Sequence, residues 1–275
     1  MDKHPECGAC FTHAAMIDEG GNRHAAFDMD EDTFRQPNRT QAEWLRYFFM
    51  NGNCLCHPSV LAKREIYTQP EINRALRQLP DFQKWISLVK RCPIHIITED
   101  LTLHRRHLAT CGNMSAGGME NEIRFREESY CILESFFDDI PDELFIEAFS
   151  RLFRYNKAST PEELLCEKYF LLLDYSLMKK ELGKLAAAVF FYNHCGNRDV
   201  LYVLANKYGY SLQDYYKLTG GIYLNCSGCA TPDQEEITAL QSRLSARERA
   251  YDDVTNSTIW RITKPLRRAM DYLKK

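Results

Sequence analysis

Asn51-Gly52-Asn53-Cys54-Leu55-Cys56-His57-Pro58-Ser59-Val60-Leu61 and, further on, Leu79-Pro80-Asp81-Phe82-Gln83-Lys84-Trp85 are the segments on which the fold class turns. Just ahead of the first, Trp44, Leu45, Tyr47, Phe48 and Phe49 crowd around Glu43 and Arg46, a pattern that predicts a buried helix closed by Gly52. In the second, Pro80-Asp81 opens a helix whose Phe82, Trp85, Ile86 and Val89 fall at i, i+3, i+4 and i+7, so that one face packs. Between them, Pro58 to Tyr67 reads as a short element with Val60, Leu61 and Ile66 inward. Beyond them, Ile94–Thr98 and Leu101–His107 are short β-branched or alternating runs that predict two strands, with Leu101, Leu103, Arg105 and His107 on one side. Helices alternating with strands make this an α/β region.

Upstream, Cys7 to Ile17 reads as a buried strand ending at Asp18-Glu19-Gly20-Gly21-Asn22, a turn signal because Gly and Asn tolerate positive φ. The polar, acidic stretch Phe27 to Thr40 follows. Downstream of about Glu120 the character becomes helical, with helices expected over Pro161–Met178, Lys180–Phe191 and Arg198–Lys207 and another starting near Ser211. Ser159 or Thr160 ahead of Pro161 supplies a cap and a first helical residue. Cys226 to Pro232 reads as a linker; after it Ile237, Leu240, Leu244, Tyr251 and Val254 keep a 3,4 spacing broken by Arg247, a short coiled-coil-like helix and a hint of a homo-oligomer. The expected division is therefore an α/β region over 1–118, a helical domain over 119–225, and a linker with amphipathic helices over 226–275.

A chain of 275 residues with 45% hydrophobic content can bury a substantial core. Thirty-five Lys and Arg against 38 Asp and Glu, a formal charge of -3, leave no electrostatic footprint for nucleic acid. The charged opening Met1-Asp2-Lys3-His4-Pro5-Glu6 lacks the apolar heart of a signal peptide, and no run approaches the ~18 apolar residues of a membrane span, so cytoplasmic residence is expected. Eleven cysteines in a chain of this size fit reduced thiols better than a disulfide framework. The Cys7/Cys10 and Cys226/Cys229 pairs could supply four zinc thiolates, but their separation is far beyond zinc-ribbon spacing and they read as core and loop cysteines.

Taken together, the Asn53–Arg64 segment, Leu79–Trp85 and Leu103-His104-Arg105-Arg106-His107 resemble the acceptor half of a bacterial family-2 glycosyltransferase of the GT-A fold. The first matches that family's Gly-Asn-x-x-x-His-Pro-Ser-x-Leu-x-x-Arg pattern, and the second its acidic residue before an aromatic and a Trp, with Pro80 where many members carry a second acid or Gln. The resemblance extends through Leu165–Leu173 and Tyr208–Tyr216. The tail Trp260-Arg261-Ile262-Thr263-Lys264-Pro265-Leu266-Arg267 is similar to one found on many bacterial polysaccharide glycosyltransferases. What it implies is a truncated GT-A-like mixed sheet followed by a mostly α-helical region. The implied activity is transfer of a sugar from a nucleoside diphosphate sugar to a growing glycan or lipid-linked acceptor. A divalent metal, Mg²⁺ or Mn²⁺, serves in the complete enzyme. The family's metal-binding carboxylates stand shortly before the segment matching Met1–Phe11, so this stretch alone is expected to be weak or inactive and to bind no metal itself.

Inverting sugar transfer needs a carboxylate that removes the acceptor hydroxyl's proton. Asp81, in the first turn of a helix, is favoured in its ionised form by the macrodipole; spacing alone equally describes a helix-start acid, and the resemblance selects the base. Asn53, His57, Ser59 and Arg64 are polar groups in an apolar run that bond one another or face a cleft, and with Trp85 and Arg105 they are the candidates for holding donor and acceptor. His107 is the resemblance's metal ligand, beside a surface reading among His104, Arg105 and Arg106. Asp28-Met29-Asp30 has the spelling of a metal-binding Asp-x-Asp but reads as a solvated acidic loop. The basic end of the chain suggests peripheral contact with a membrane face or, more plainly, a docked surface helix. The alternative class is a non-catalytic helical interaction module derived from such an enzyme.

Overall fold

The computed structural model of the chain describes residues 2–23, 32–106, 118–176 and 179–226. The expected metal ligand His107, the Asp28–Asp30 triplet, the heptad segment and the basic tail all lie outside them. Within them stands a small three-stranded mixed sheet set among helices, an α/β fold that is mostly helical. Strand order is β2 (Leu61–Ala62), β1 (Ala9–Ile17), β3 (Ile94–Arg105), with β1 central, antiparallel to β2 and parallel to β3.

Helix α1 (Gln41–Asn51) begins at a capping box in which Thr40 accepts from the Glu43 N–H and Glu43 accepts from the Thr40 N–H. It ends at Gly52, whose φ of 83° suits only glycine without strain. A short 3-10 turn (His57–Ser59) and a single helical turn α2 (Arg64–Tyr67) flank β2. Helix α3 (Pro80–Arg91) buries Phe82, Trp85, Ile86 and Val89 as its spacing predicts, and places Pro80 at its first position, where no N–H is needed.

The helical half comprises α4 (Met119–Glu134), α5 (Asp142–Phe149), α6 (Pro161–Asp174), α7 (Lys179–Phe190), α8 (Arg198–Tyr208) and α9 (Leu212–Cys226). Thr160 and Glu163 form a second capping box at the start of α6. One aromatic cluster joins the halves: Phe49 of α1 lies 5.1 Å from Phe136, 5.0 Å from Phe137 and 5.5 Å from Phe149, ring centre to ring centre. These offset and edge contacts add to the gain from burying the rings. By compactness the chain forms two units, Met1–Ile222 and Tyr223–Lys275. Of the second unit only the end of α9 is described.

Two strand expectations are corrected. Ile94–Arg105 is one strand, not two: Glu99-Asp100 reads as a break, but slips in the pairing with β1 at Thr12/His13 and His13/Ala14 absorb the extra residues. Asp100 is held at that slip by Arg23 at 2.9 Å and Arg35 at 2.8 Å. Leu61, expected inward, is 62% exposed, as are Leu101 (62%) and Leu103 (67%), because β2 is only two residues long and covers no second layer. The edge of β3 away from β1 is covered at Ile96, whose N–H and C=O bond the Asn38 side chain at 2.7 and 2.8 Å. That mimics a strand neighbour and blunts an edge otherwise open to foreign pairing. No helix among the described residues is long and apolar enough to cross a membrane.

Candidate functional site

Asp81 stands at the second position of α3, half-buried. One carboxylate oxygen, Oδ1, takes the Phe82 N–H at 2.7 Å, as an acid at a helix start does. The other, Oδ2, takes the Asn53 amide at 3.1 Å. That bond ties the loop after α1 to the start of α3, so the two decisive sequence segments meet at one carboxylate. Asn53 is itself fixed, its Oδ1 accepting the Leu55 N–H at 3.1 Å. Burial pushes the Asp81 carboxyl above the ordinary aspartate value, against the Phe82 N–H, the nearby His57 and the Asn53 amide, which favour the charged form. A carboxylate so raised is a better proton acceptor than a solvated one.

His57 is exposed, with Nε2 3.2 Å from the Tyr67 hydroxyl and its ring edge-on to Trp85 at 5.4 Å. Trp85 is 0% exposed and packs edge-on against Phe11 at 4.8 Å. It therefore forms the floor beneath His57 and Tyr67, with no open face for a sugar to stack on. Its indole N–H has no hydrogen-bond partner among the described residues, which marks it as a core ring whose polar tip is tolerated. Ser59 is buried and spends its hydroxyl on the Cys56 carbonyl at 2.7 Å, a local bond that shapes the 3-10 turn. Arg64 is exposed, and its side chain bonds no other described residue. The Arg105 guanidinium is committed elsewhere, holding the Asp18 and Glu19 carbonyls at 2.8 and 2.7 Å across the turn after β1. So Asn53 and Asp81 are bonded, with His57 near Asp81 and edge-on to Trp85, while Ser59 shapes the 3-10 turn, Arg105 holds the turn after β1 and Arg64 is not brought into the group.

Three further features were not legible as site elements. Cys56 Sγ lies 3.4 Å from His104 Nδ1, which brings the far half of β3 beside the loop that carries His57. Burial pushes the Cys56 thiol up to about 11, with the Asp81 charge adding to the rise, so it stands as a protonated thiol and not a nucleophile. Glu128 of α4 accepts the backbone N–H groups of Arg77, Gln78 and Leu79, each at 2.8 Å, and so clamps the turn that leads into Asp81. A glutamate in the run Arg126-Glu127-Glu128-Ser129 reads as a solvated helix face, and only the fold shows it buried. Lys84, a charged residue within the Leu79–Trp85 segment, is likewise buried, with its ammonium 5.0 Å from the centre of the Tyr67 ring.

Among the described residues no three His, Cys, Asp or Glu side chains are grouped as a metal ion would require. His107, the residue that the resemblance assigns to the divalent ion, lies outside the described residues. Two of the cavities lined by described residues flank these helices. One, of about 320 Å³, lies along the polar face of α3; the other, of about 260 Å³, lies between the loop at Asn38 and α1. Asp81 lines neither. Compared with protein-family models, curated proteins and solved structures, the chain matches none.

Proposed function

We propose that the chain carries the acceptor side of a sugar-transfer enzyme of the GT-A type, with Asp81 as general base. The single observation carrying this reading is the Asn53–Asp81 bond, which joins the Asn-x-x-x-His-Pro-Ser loop to the Pro-Asp helix start. In the proposed step the acceptor hydroxyl gives its proton to Asp81 as its oxygen attacks the anomeric carbon of a nucleoside diphosphate sugar, and the diphosphate leaves. Asn53 keeps one carboxylate oxygen oriented, and the nearby His57 favours the charged carboxylate. Burial of Asp81 supports the role, since it raises the affinity of the carboxylate for the incoming proton. The groups that grip the donor diphosphate are sought outside the described residues, and no step here runs through a metal. The acceptor is proposed to be a growing glycan or its lipid-linked form.

The test is transfer of labelled sugar from a panel of nucleotide sugars by the product of the whole reading frame that contains these 275 residues. Transfer that rises with pH through the titration of one raised carboxyl supports the reading. Absence of transfer with every donor, in a protein shown to bind nucleotide sugars, refutes it. The second reading, a non-catalytic interaction module, draws support from the commitment of both Asp81 carboxylate oxygens, one to the Phe82 N–H and the other to the Asn53 amide. It predicts no nucleotide-sugar binding at all.

A further inference from the structure

Strand β3 lies at an edge of the sheet, and past Ile96 no strand among the described residues pairs with its far side. The Arg106 N–H donates to the Ile17 carbonyl at 2.8 Å, while Arg105 stands level with Ile17. In such a ladder the residue level with the bonded one turns its own N–H and C=O the other way. Arg105 and, by alternation, Leu103 and Leu101 therefore aim their backbone groups at the open edge. Glu99, Leu101, Leu103 and Arg105 are exposed, whereas Thr102 alternates with them and bonds Thr12 hydroxyl to hydroxyl at 3.0 Å. A bare edge carrying two exposed leucines is a template for another strand.

The charges along the edge identify that strand. Residues that turn their backbone to the edge pair only with others that do so, which leaves few registers for an antiparallel second copy. With Thr102 opposite Thr102 of the second copy, Leu101 meets Leu103 and Glu99 meets Arg105, each twice by two-fold symmetry. Centring the pair on Leu101 or Leu103 instead sets Arg105 opposite Ile97 or Leu101 and loses both ion pairs. The two charged side chains are ready for this partner. Glu99 bonds no other side chain among the described residues. Arg105 spends only Nη1, on the Asp18 and Glu19 carbonyls at 2.8 and 2.7 Å, which fixes the guanidinium and leaves its other donors for a carboxylate.

We propose that β3 is a self-association edge, on which two copies of the chain pair antiparallel about Thr102. The three strands of each copy then form one continuous sheet with β3 beside β3 at its centre. The self-complementary order, acid, leucine, leucine, arginine at alternate positions 99, 101, 103 and 105, is what an isologous strand pair requires. One strand pair buries less than the roughly 1,600 Å² of a standard interface, so the dimer is weak, with a dissociation constant of micromolar order.

The experiment is sedimentation equilibrium of the full chain from about 1 μM to about 300 μM, where a monomer–dimer equilibrium is expected. Glu99→Arg sets arginine against arginine at both ends of the pair, and Arg105→Glu sets acid against acid. Each should raise the dissociation constant at least about tenfold. Mixed in equal amounts, the two variants should associate with the strength of the wild type, because every arginine of one then faces an acid of the other. Glu99→Arg removes no side-chain bond among the described residues, so its thermal unfolding should match the wild type and separates lost pairing from lost folding. Amide exchange at Leu101, Leu103 and Arg105 should slow as the wild-type concentration rises. A wild type that stays monomeric over the whole range overturns the proposal. So does a dimer that both charge reversals leave unchanged, which would place association on another surface, or a mixture of the two variants that fails to pair.

Discussion

Removing the Glu128 carboxylate is expected to loosen the turn that delivers Asp81. Glu128→Ala deletes the acceptor of three backbone N–H groups, those of Arg77, Gln78 and Leu79, each 2.8 Å away. Leu79 is buried, so its N–H finds no water and bears the cost of an unmet donor, about 1–3 kcal/mol. Arg77 is exposed and Gln78 half-buried, so their N–H groups recover water in part. Each lost charge-assisted bond has a net value of roughly 1.5–3 kcal/mol, and bonds sharing one acceptor are not additive. The sum is a loss of about 3–4 kcal/mol. In urea unfolding, with a slope near 3 kcal/mol/M, the midpoint should fall by roughly 1 M. Glu128→Gln, which keeps one acceptor oxygen, should lose about half as much. Amide exchange at residues 77–79 should quicken by about a hundredfold in the Ala variant, since about 1.4 kcal/mol is a factor of ten. A loss under about 1 kcal/mol with unchanged exchange there would refute the clamp.

Phe49→Ala should cost about 3–5 kcal/mol, because the ring is fully buried between Phe136, Phe137 and Phe149; the denaturation midpoint checks it, and a loss below about 1 kcal/mol would mean that the two halves do not share a core. Thr160→Ala should cost about 1 kcal/mol through the capping box of α6, read from thermal unfolding, with Thr160→Ser nearly neutral. Lys90 gives a pH signature. Its ammonium is lowered to about 8, so between there and the ordinary lysine value of 10.5 the unfolded chain binds more protons, and stability rises with pH through that window. The wild type should gain roughly 1–2 kcal/mol relative to Lys90→Met from pH 8 to pH 10, allowing for solvent screening of a partly exposed group. A flat difference would contradict the burial.

Helix placement was legible because local signals agree with the fold. Trp44 to Phe49 announce a buried helix, Ser159 or Thr160 ahead of Pro161 announces the start of α6, and Pro80 marks the start of α3, while the capping boxes of Thr40 with Glu43 and Thr160 with Glu163 were seen only in the structure. The joining of β3 into one strand was not legible, because Glu99-Asp100 carries turn chemistry locally and is stabilised by arginines distant in sequence. For the same reason the exposure of Leu61, Leu101 and Leu103 escaped notice: alternation shows which residues share a face, not whether a second layer covers it. The meeting of Asn53, His57 and Asp81 was anticipated only as separate candidates, since 28 positions separate Asn53 from Asp81. The Glu128 clamp and the burial of Lys84 had no sequence signal, as a charged residue on a helix looks the same whether water or a backbone turn receives it.

The central claim is that Asp81 is a proton acceptor and not only a helix-start acid, and Asp81→Asn tests it most directly. The variant keeps shape and an acceptor oxygen for Asn53 but cannot take up the hydroxyl proton. In the complete reading-frame product, transfer should fall by about 10²–10⁴-fold with nucleotide-sugar affinity unchanged. Stability at pH 7 should not fall, because burial disfavours the ionised form that the substitution removes, and the wild type loses stability as pH rises through the raised carboxyl. Undiminished transfer, together with a loss of stability at pH 7, would leave Asp81 a helix cap and contradict the account.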